Sequence, residues 1–356
     1  MIHFRCGAHT ISLVAVTDYK NIIGAEPKAI KKLHLNAFAK CQQIWNGSRR
    51  PKGSGEIHKL IGKTIKYPVV VRWNSIPDCL MQLIRYYEAD AEQGTAISNN
   101  MINQLLLATS SPNCNHSPFT QKEIDYLGEY LILMRPLTRG LDRLQSDKNG
   151  SAFFGFLLPI LFSIKKKLEL NPKNQNIKIL SGIGLKLSIA FSKRFKSLLD
   201  LDYSCETTKF AVMASISHPQ FKTRWLNTDQ IYFARLLFSS EASKMQRPTE
   251  NNDAKSADED EYFDWMASSN DTTDEVSQYL DSSSNELEVL NSYPTVKQIF
   301  LKFNAPLCSS ATIERVFNYG GMLDDAKRNR IAPKNLENNV IIKANQIFSL
   351  RNFETK

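Results

Sequence analysis

Glu314 lies in the stretch "CSSATIERVFNYGG", residues 308–321. A carboxylate at the buried edge of a helix can bind a divalent metal ion, and that is the chemistry to weigh here. Ser310 is a good N-cap for a helix beginning at Ala311. A capping box would need Glu or Gln three residues after the cap; that position is Ile313, so Glu314 is not used in capping. The spacing predicts Ile313, Val316 and Phe317 facing the core, with Glu314 and Arg315 on the flank. Taken alone, such a glutamate reads as a surface charge. Two other groups carry chemistry. In "CGAHT", Cys6 and His9 have two residues between them and can begin a zinc site, which needs a second pair to close. The only other close pair is Cys114 and His116, in a Pro-Asn loop. In "VVVRWNSIPDCL", Arg72 can hold a phosphate and Trp73 can stack on a base. The plainer reading is a core tryptophan with its neighbouring arginine in water.

The elements that must position these residues are mainly helical by pattern. "KEIDYLGEYLILMRPLTRGLDRL" spaces Ile124, Leu127, Leu131, Met134, Leu137, Leu141 and Leu144 as one helical face, which Pro136 is expected to kink or split. "GFLLPILFSIKKKLEL" and "SGIGLKLSIAFSKRFKSLLDL" are further helical stretches, the second apolar on one side and basic on the other. "ETTKFAVMASISHPQFKTRWL" reads as a buried helix followed by a His-Pro turn. Strand signals are poor: 10–16, "TISLVAV", reads as a short buried strand or a helix start, and "YPVVVRW" is the one compact β-branched run. Near the C-terminal end three helices are predicted. The first spans about 294–303, the second runs from Ser310 to a stop at Gly320-Gly321, and the third opens at Pro333. That third helix presents Leu336, Val340, Ile341, Ala344 and Ile347 on one side, as core or as a partner surface.

Charge is unevenly distributed. The 356 residues carry a net +9, but between Thr249 and Glu286 twelve acids face one base, a local −11, so the remainder is +20. A body that basic suits a polyanion. The acidic stretch, rich in Ser, Asn and Asp, is expected to be a mostly disordered linker, with an aromatic island at Tyr262, Phe263, Trp265 and Met266. No apolar run reaches the roughly 20 residues a bilayer-spanning helix needs, so no membrane partner is expected. "MIHFRCGAHTISLVAV" does not read as a signal peptide, and six singly scattered cysteines read as reduced thiols.

Taken in order, these pieces resemble one family. "RCGAHTISLVAV" is similar to the Cys-x2-His segment of hAT-superfamily (hobo–Activator type) transposases, and "FAKCQQIWNGSRR" with "VRWNS" to the block after it. "EYLILMRPLTRGLDRLQSD" and "AVMASISHPQFKTRWL" resemble the helical insertion domain. "YPTVKQIFLKFNAPLCSSATIERVFNYGGMLDDAKRNRIAPKNLENNVIIKAN" resembles the C-terminal dimerisation region. The resemblance implies a mainly α chain: residues 1–20 as a remnant of an RNase H-like core, 21–248 as a large all-helical insertion domain, 249–286 as the acidic linker, and 287–356 as the dimerisation region. It assigns Glu314 the place of the third carboxylate of a two-metal site using Mg2+ or Mn2+. It puts His9 near a DNA end, gives Arg72 and Trp73 a flipped base, and makes Leu336, Val340, Ile341, Ala344 and Ile347 a dimer surface. Two metals need several carboxylates, and the family's two aspartates precede the Cys-x2-His segment, which begins here at Cys6. Asp18 falls on the wrong side of that motif and reads as a surface or capping residue. The expectation is a transposable-element-derived nuclear protein that dimerises and binds DNA without catalysis and without a cofactor of its own. Its partners are DNA and a second copy or a full-length relative, and the zinc-finger module of many relatives is not in the sequence. Two alternatives stay open: an interaction module that does not bind DNA, or part of an active transposase whose aspartates lie upstream. Loss of the strands would leave an uncovered apolar face near residues 10–16.

Overall fold

The computed structural model describes residues 4–69, 75–111, 116–145, 153–170, 175–246, 270–324 and 331–353. Sixteen α-helices and no strand are found among them, apart from a single antiparallel bridge between Phe153 and Leu307. The chain is mainly α, as its periodicity predicts.

Residues 7–25 are one unbroken helical run. α1 (Gly7–Leu13) passes through a π-helical turn (Val14–Asp18) into α2 (Tyr19–Ala25). Of the two readings of 10–16 the helix start is the correct one. Ala8, Ile11 and Val14 follow helical spacing and are fully buried, so most of the expected apolar face is covered and Val16 alone of its large apolar side chains stays exposed, at 53%. α3 (Lys28–Ser48) and α5 (Ser75–Glu92) pack on the next long helix, α7 (Gln121–Gln145), while α4 (Pro51–Ile61) packs on α3 and α6 (Met101–Ala108) on α3, α4 and α5. Pro136 does not split α7, which runs as one helix through it. An interior proline costs about 3 kcal/mol; here Leu133, Met134, Leu137 and Leu141 are all buried around it, and that packing offsets the loss.

A 3-10 turn at Phe154–Phe156 leads into α8 (Leu157–Leu170), followed by α9 (Ser181–Arg194), the short α10 (Lys196–Leu199) and α11 (Glu206–Ser217). α11 is the buried helix expected before the His-Pro turn: Ala211 to Ser217 are all buried, as is His218 after them. Gly155 sits where a Cβ would lie 2.4 Å from the Ala214 carbonyl oxygen, so α11 and this turn approach backbone to backbone. Asn304 fixes the contact. Its Oδ1 accepts from Gly155 N at 2.8 Å, and its Nδ2 donates to Ala214 O at 3.1 Å and Ser217 Oγ at 3.2 Å.

α12 (Thr228–Gln246) is followed by α13 (Asn270–Asp281), then α14 (Pro294–Phe303), α15 (Ala311–Leu323) and α16 (Pro333–Phe353). α13 corrects the expectation of a linker running to residue 286. Its Val276, Tyr279 and Leu280 are buried, and the helix packs on α12 and α14. Glu275 accepts from Thr295 N and Val296 N at 2.9 and 3.2 Å, which caps α14 with a carboxylate. The aromatic island at 262–266 lies outside the described residues. The first and third C-terminal helices begin where predicted. The second does not stop at Gly320-Gly321 but continues to Leu323.

Candidate functional site

Cys6 is the N-cap of α1, and its Sγ accepts from His9 N at 3.3 Å. The Cys-x2-His spacing is therefore the N-cap-to-N3 spacing of a helix start; the sulfur meets the backbone of residue 9, not its ring. From the other end of the chain, Gly7 N donates to Cys308 O at 3.2 Å. A Cβ on Gly7 would lie 2.6 Å from Leu157 Cδ1, the movable end of a side chain, and 3.4 Å from Cys308 O. Ser310 N and Ser310 Oγ reach Cys6 Sγ at 3.4 and 3.3 Å. Ser310 Oγ also lies 2.6 Å from Glu314 Oε1. Its hydroxyl has one proton, and the ionised carboxylate, which can only accept, takes it. Ser310 occupies the N-cap position of α15 but makes no side-chain cap; it links Cys6 to Glu314 instead. Buried beside this junction, Cys308 donates from Sγ to Leu144 O at 3.6 Å, and burial raises its thiol pKa to about 12.

The surface next to the junction is a cleft of about 700 Å³ lined by Arg5, His9, Asp18, Lys193 and Arg194, among others. Both carboxylate oxygens of Asp18 accept from Arg194, at 2.5 Å to Nε and 2.7 Å to Nη2. The pair is bidentate and largely shielded, and the hydrogen bond to Asp18 raises the guanidinium's pKa further. Asp18 is thus neither a free surface charge nor a cap. With its charge matched by Arg194, the cleft presents Arg5, Lys193 and the exposed His9, a surface suited to an anion.

The donor set does not fit a pair of divalent ions. Glu314 is exposed and bonded to Ser310, while both oxygens of Asp18 are taken by Arg194. Among the described residues no cluster of three or more His, Cys, Asp and Glu could hold a metal. Arg72 and Trp73 lie outside the described residues. On α15, Phe317 does not face the core: it is 75% exposed, and Met322 is 71% exposed. On α16, Leu336, Val340 and Ala344 are half-buried, and Val340 Cγ2 comes within 3.8 Å of where a Cβ on Gly320 would stand. Ile341 and its neighbour Ile342 are half exposed, at 50% and 55%. The side chain of Ile347 lies outside the described residues. The predicted stripe therefore divides between packing on α15 and an outward apolar edge.

Sequence reasoning missed the Asp18–Arg194 bond, whose partners stand 176 positions apart; the one available signal was the basic side of 181–201. It also missed that the Cys6 and Ser310 segments meet. No family model matches the chain, and no curated protein matches it. Among the described residues no helix is long and apolar enough to cross a membrane.

Proposed function

We propose that this chain is a hAT-transposase-like protein that binds DNA through its basic body and self-associates through α15 and α16. On this reading residues 1–20 derive from the margin of an RNase H-like core, and the protein works in the nucleus. One observation carries the reading. Two segments to which the resemblance gives separate roles, Cys6–His9 near the DNA end and Ser310–Glu314 with the third carboxylate, are some 300 residues apart in the chain and hydrogen-bonded to each other. Beside them opens a cleft with Arg5 and Lys193 on its walls.

Catalysis is not part of the proposal. One carboxylate cannot neutralise and hold two divalent cations through phosphodiester cleavage. Purified protein is expected not to nick duplex DNA with Mg2+ or Mn2+. Nicking that disappears in Glu314→Gln would overturn this.

The DNA-binding part is tested by titrating labelled duplex between 50 and 200 mM salt. Neutralising about four phosphates should weaken binding about a hundredfold across that range. An affinity that stays flat would remove DNA as the partner and leave the interaction module.

A further inference from the structure

Arg135, Arg139 and Arg143 follow at four-residue intervals along α7, which sets them in steps of about 6 Å on one face. All three are exposed. None of the three belongs to an ion pair found among the described residues, although the exposed Asp142 stands one turn beyond Arg139, whereas nine other cations, Lys40, Lys186 and Arg194 among them, are each matched with a carboxylate. Like charges at i, i+4 destabilise a helix by a few tenths of a kcal/mol per pair. Asp142, exposed three positions beyond Arg139, offsets part of that cost, and a bound anion would relieve the rest.

Beside Arg139 and Arg143 a groove of about 350 Å³ runs between α7 and α8. Lys167 of α8 lines it with them; Pro159, Ile160 and Phe221 supply half-buried apolar surface, and none of its described lining residues is acidic. Cations beside a proline, an isoleucine and a phenylalanine match a ligand that has both phosphates and uncovered planar rings. Duplex DNA offers its phosphates but keeps its bases stacked and paired. An unpaired strand offers both, and stacking on an aromatic ring contributes about 1–3 kcal/mol per base.

We infer that this groove binds single-stranded nucleic acid, with successive phosphates along the arginine stripe and a base laid against Phe221 and Pro159. The inference rests on the DNA-binding reading above and adds to it the form of the ligand and the face that takes it, distinct from the cleft at His9.

The test is fluorescence anisotropy on the full chain with a labelled 15-nucleotide poly(dT) strand and a 15-base-pair duplex. Wild type, Arg139→Glu/Arg143→Glu and a remote charge reversal, Lys59→Glu, are compared, with folding checked by circular dichroism. The wild type should prefer the strand. The double variant should bind it at least about tenfold more weakly, with the log–log salt slope reduced by about 2, and Lys59→Glu should change neither. If the charge reversal does not fold, Arg139→Gln/Arg143→Gln is read in its place, with the same loss of slope expected. A folded double variant that holds the strand as the wild type does overturns the inference and leaves the DNA-binding reading standing. A wild type that prefers duplex overturns the choice of an unpaired strand. A wild type that binds neither probe overturns both readings.

Discussion

Lys40 and Glu123 meet at 2.6 Å with side chains only 5% and 6% exposed. Lys40 Nζ also donates to Pro118 O at 2.9 Å, and Glu123 Oε2 accepts from Thr120 N at 2.8 Å. Removing one partner of such a pair strands a buried charge. Lys40→Met should lower unfolding free energy by about 3–5 kcal/mol in urea titration, while Lys40→Met combined with Glu123→Gln should recover part of that. His218 makes a pH prediction at the same scale. It is buried among Phe153, Phe156, Phe221 and Phe300, its Nδ1 accepts from Gln220 N, and burial lowers its pKa to about 4. Because the folded value lies below the unfolded one, the unfolded chain takes up the proton first. Stability should therefore fall as pH drops from about 6.5 to about 4, by about 1.4 kcal/mol per unit. Thermal melts should show this slope in the wild type and a shallower one in His218→Leu. The residue types at the junction were legible from sequence: Cys6, His9, Ser310 and Glu314 were all marked. Their connection was not, because a hydrogen bond between positions 6 and 310 leaves no trace in local spacing.

At the scale of elements, periodicity identified α7, α8, α9 and α14 because each buries a continuous apolar stripe, and α11 was legible as an apolar run buried on every side. α13 was missed because its first turns are acidic and its apolar positions are few. One side chain compensates for that composition. Tyr279 is fully buried, and its one hydroxyl proton lies between two carbonyl oxygens at the end of α11, Ser217 O at 2.8 Å, the nearer acceptor, and Ile216 O at 3.1 Å. Lys222 lies over the Tyr279 ring at 4.9 Å and donates to Ser282 O, although its own backbone is left-handed, with φ of 49°. Tyr279→Phe should cost about 1–3 kcal/mol for the hydrogen bond lost at the end of α11. Tyr279→Ala should cost about 3–5 kcal/mol and release α13, visible as new protease cleavage within residues 270–281. Gly155→Ala tests the neighbouring contact. Its Cβ meets the backbone at Ala214, which cannot rotate away, so a loss of about 1–3 kcal/mol is expected. A melting temperature equal to wild type would show that α11 can shift to make room.

At the scale of the whole molecule, the strongly basic remainder and the acidic stretch were legible as counts, but which cations are already matched required the fold. The same holds for association. The stripe on α16 was readable; that Val340 turns to α15 while Ile341 and Ile342 face outward was not. With Phe317 and Met322 also exposed, the wild type is expected to sediment as a dimer at micromolar concentration, and Ile341→Asp as a monomer. A wild type that stays monomeric at high micromolar concentration removes self-association from the proposal.

The contact between Gly7 and Cys308 also has a consequence in time. A ribosome that has just made the helix at 7–25 must add about 300 further residues before the partner of Gly7 emerges. At 5–20 residues per second that is about 15–60 s. Throughout that interval the nascent helix lacks its final neighbour, so chaperone occupancy should be highest on chains stalled short of residue 308.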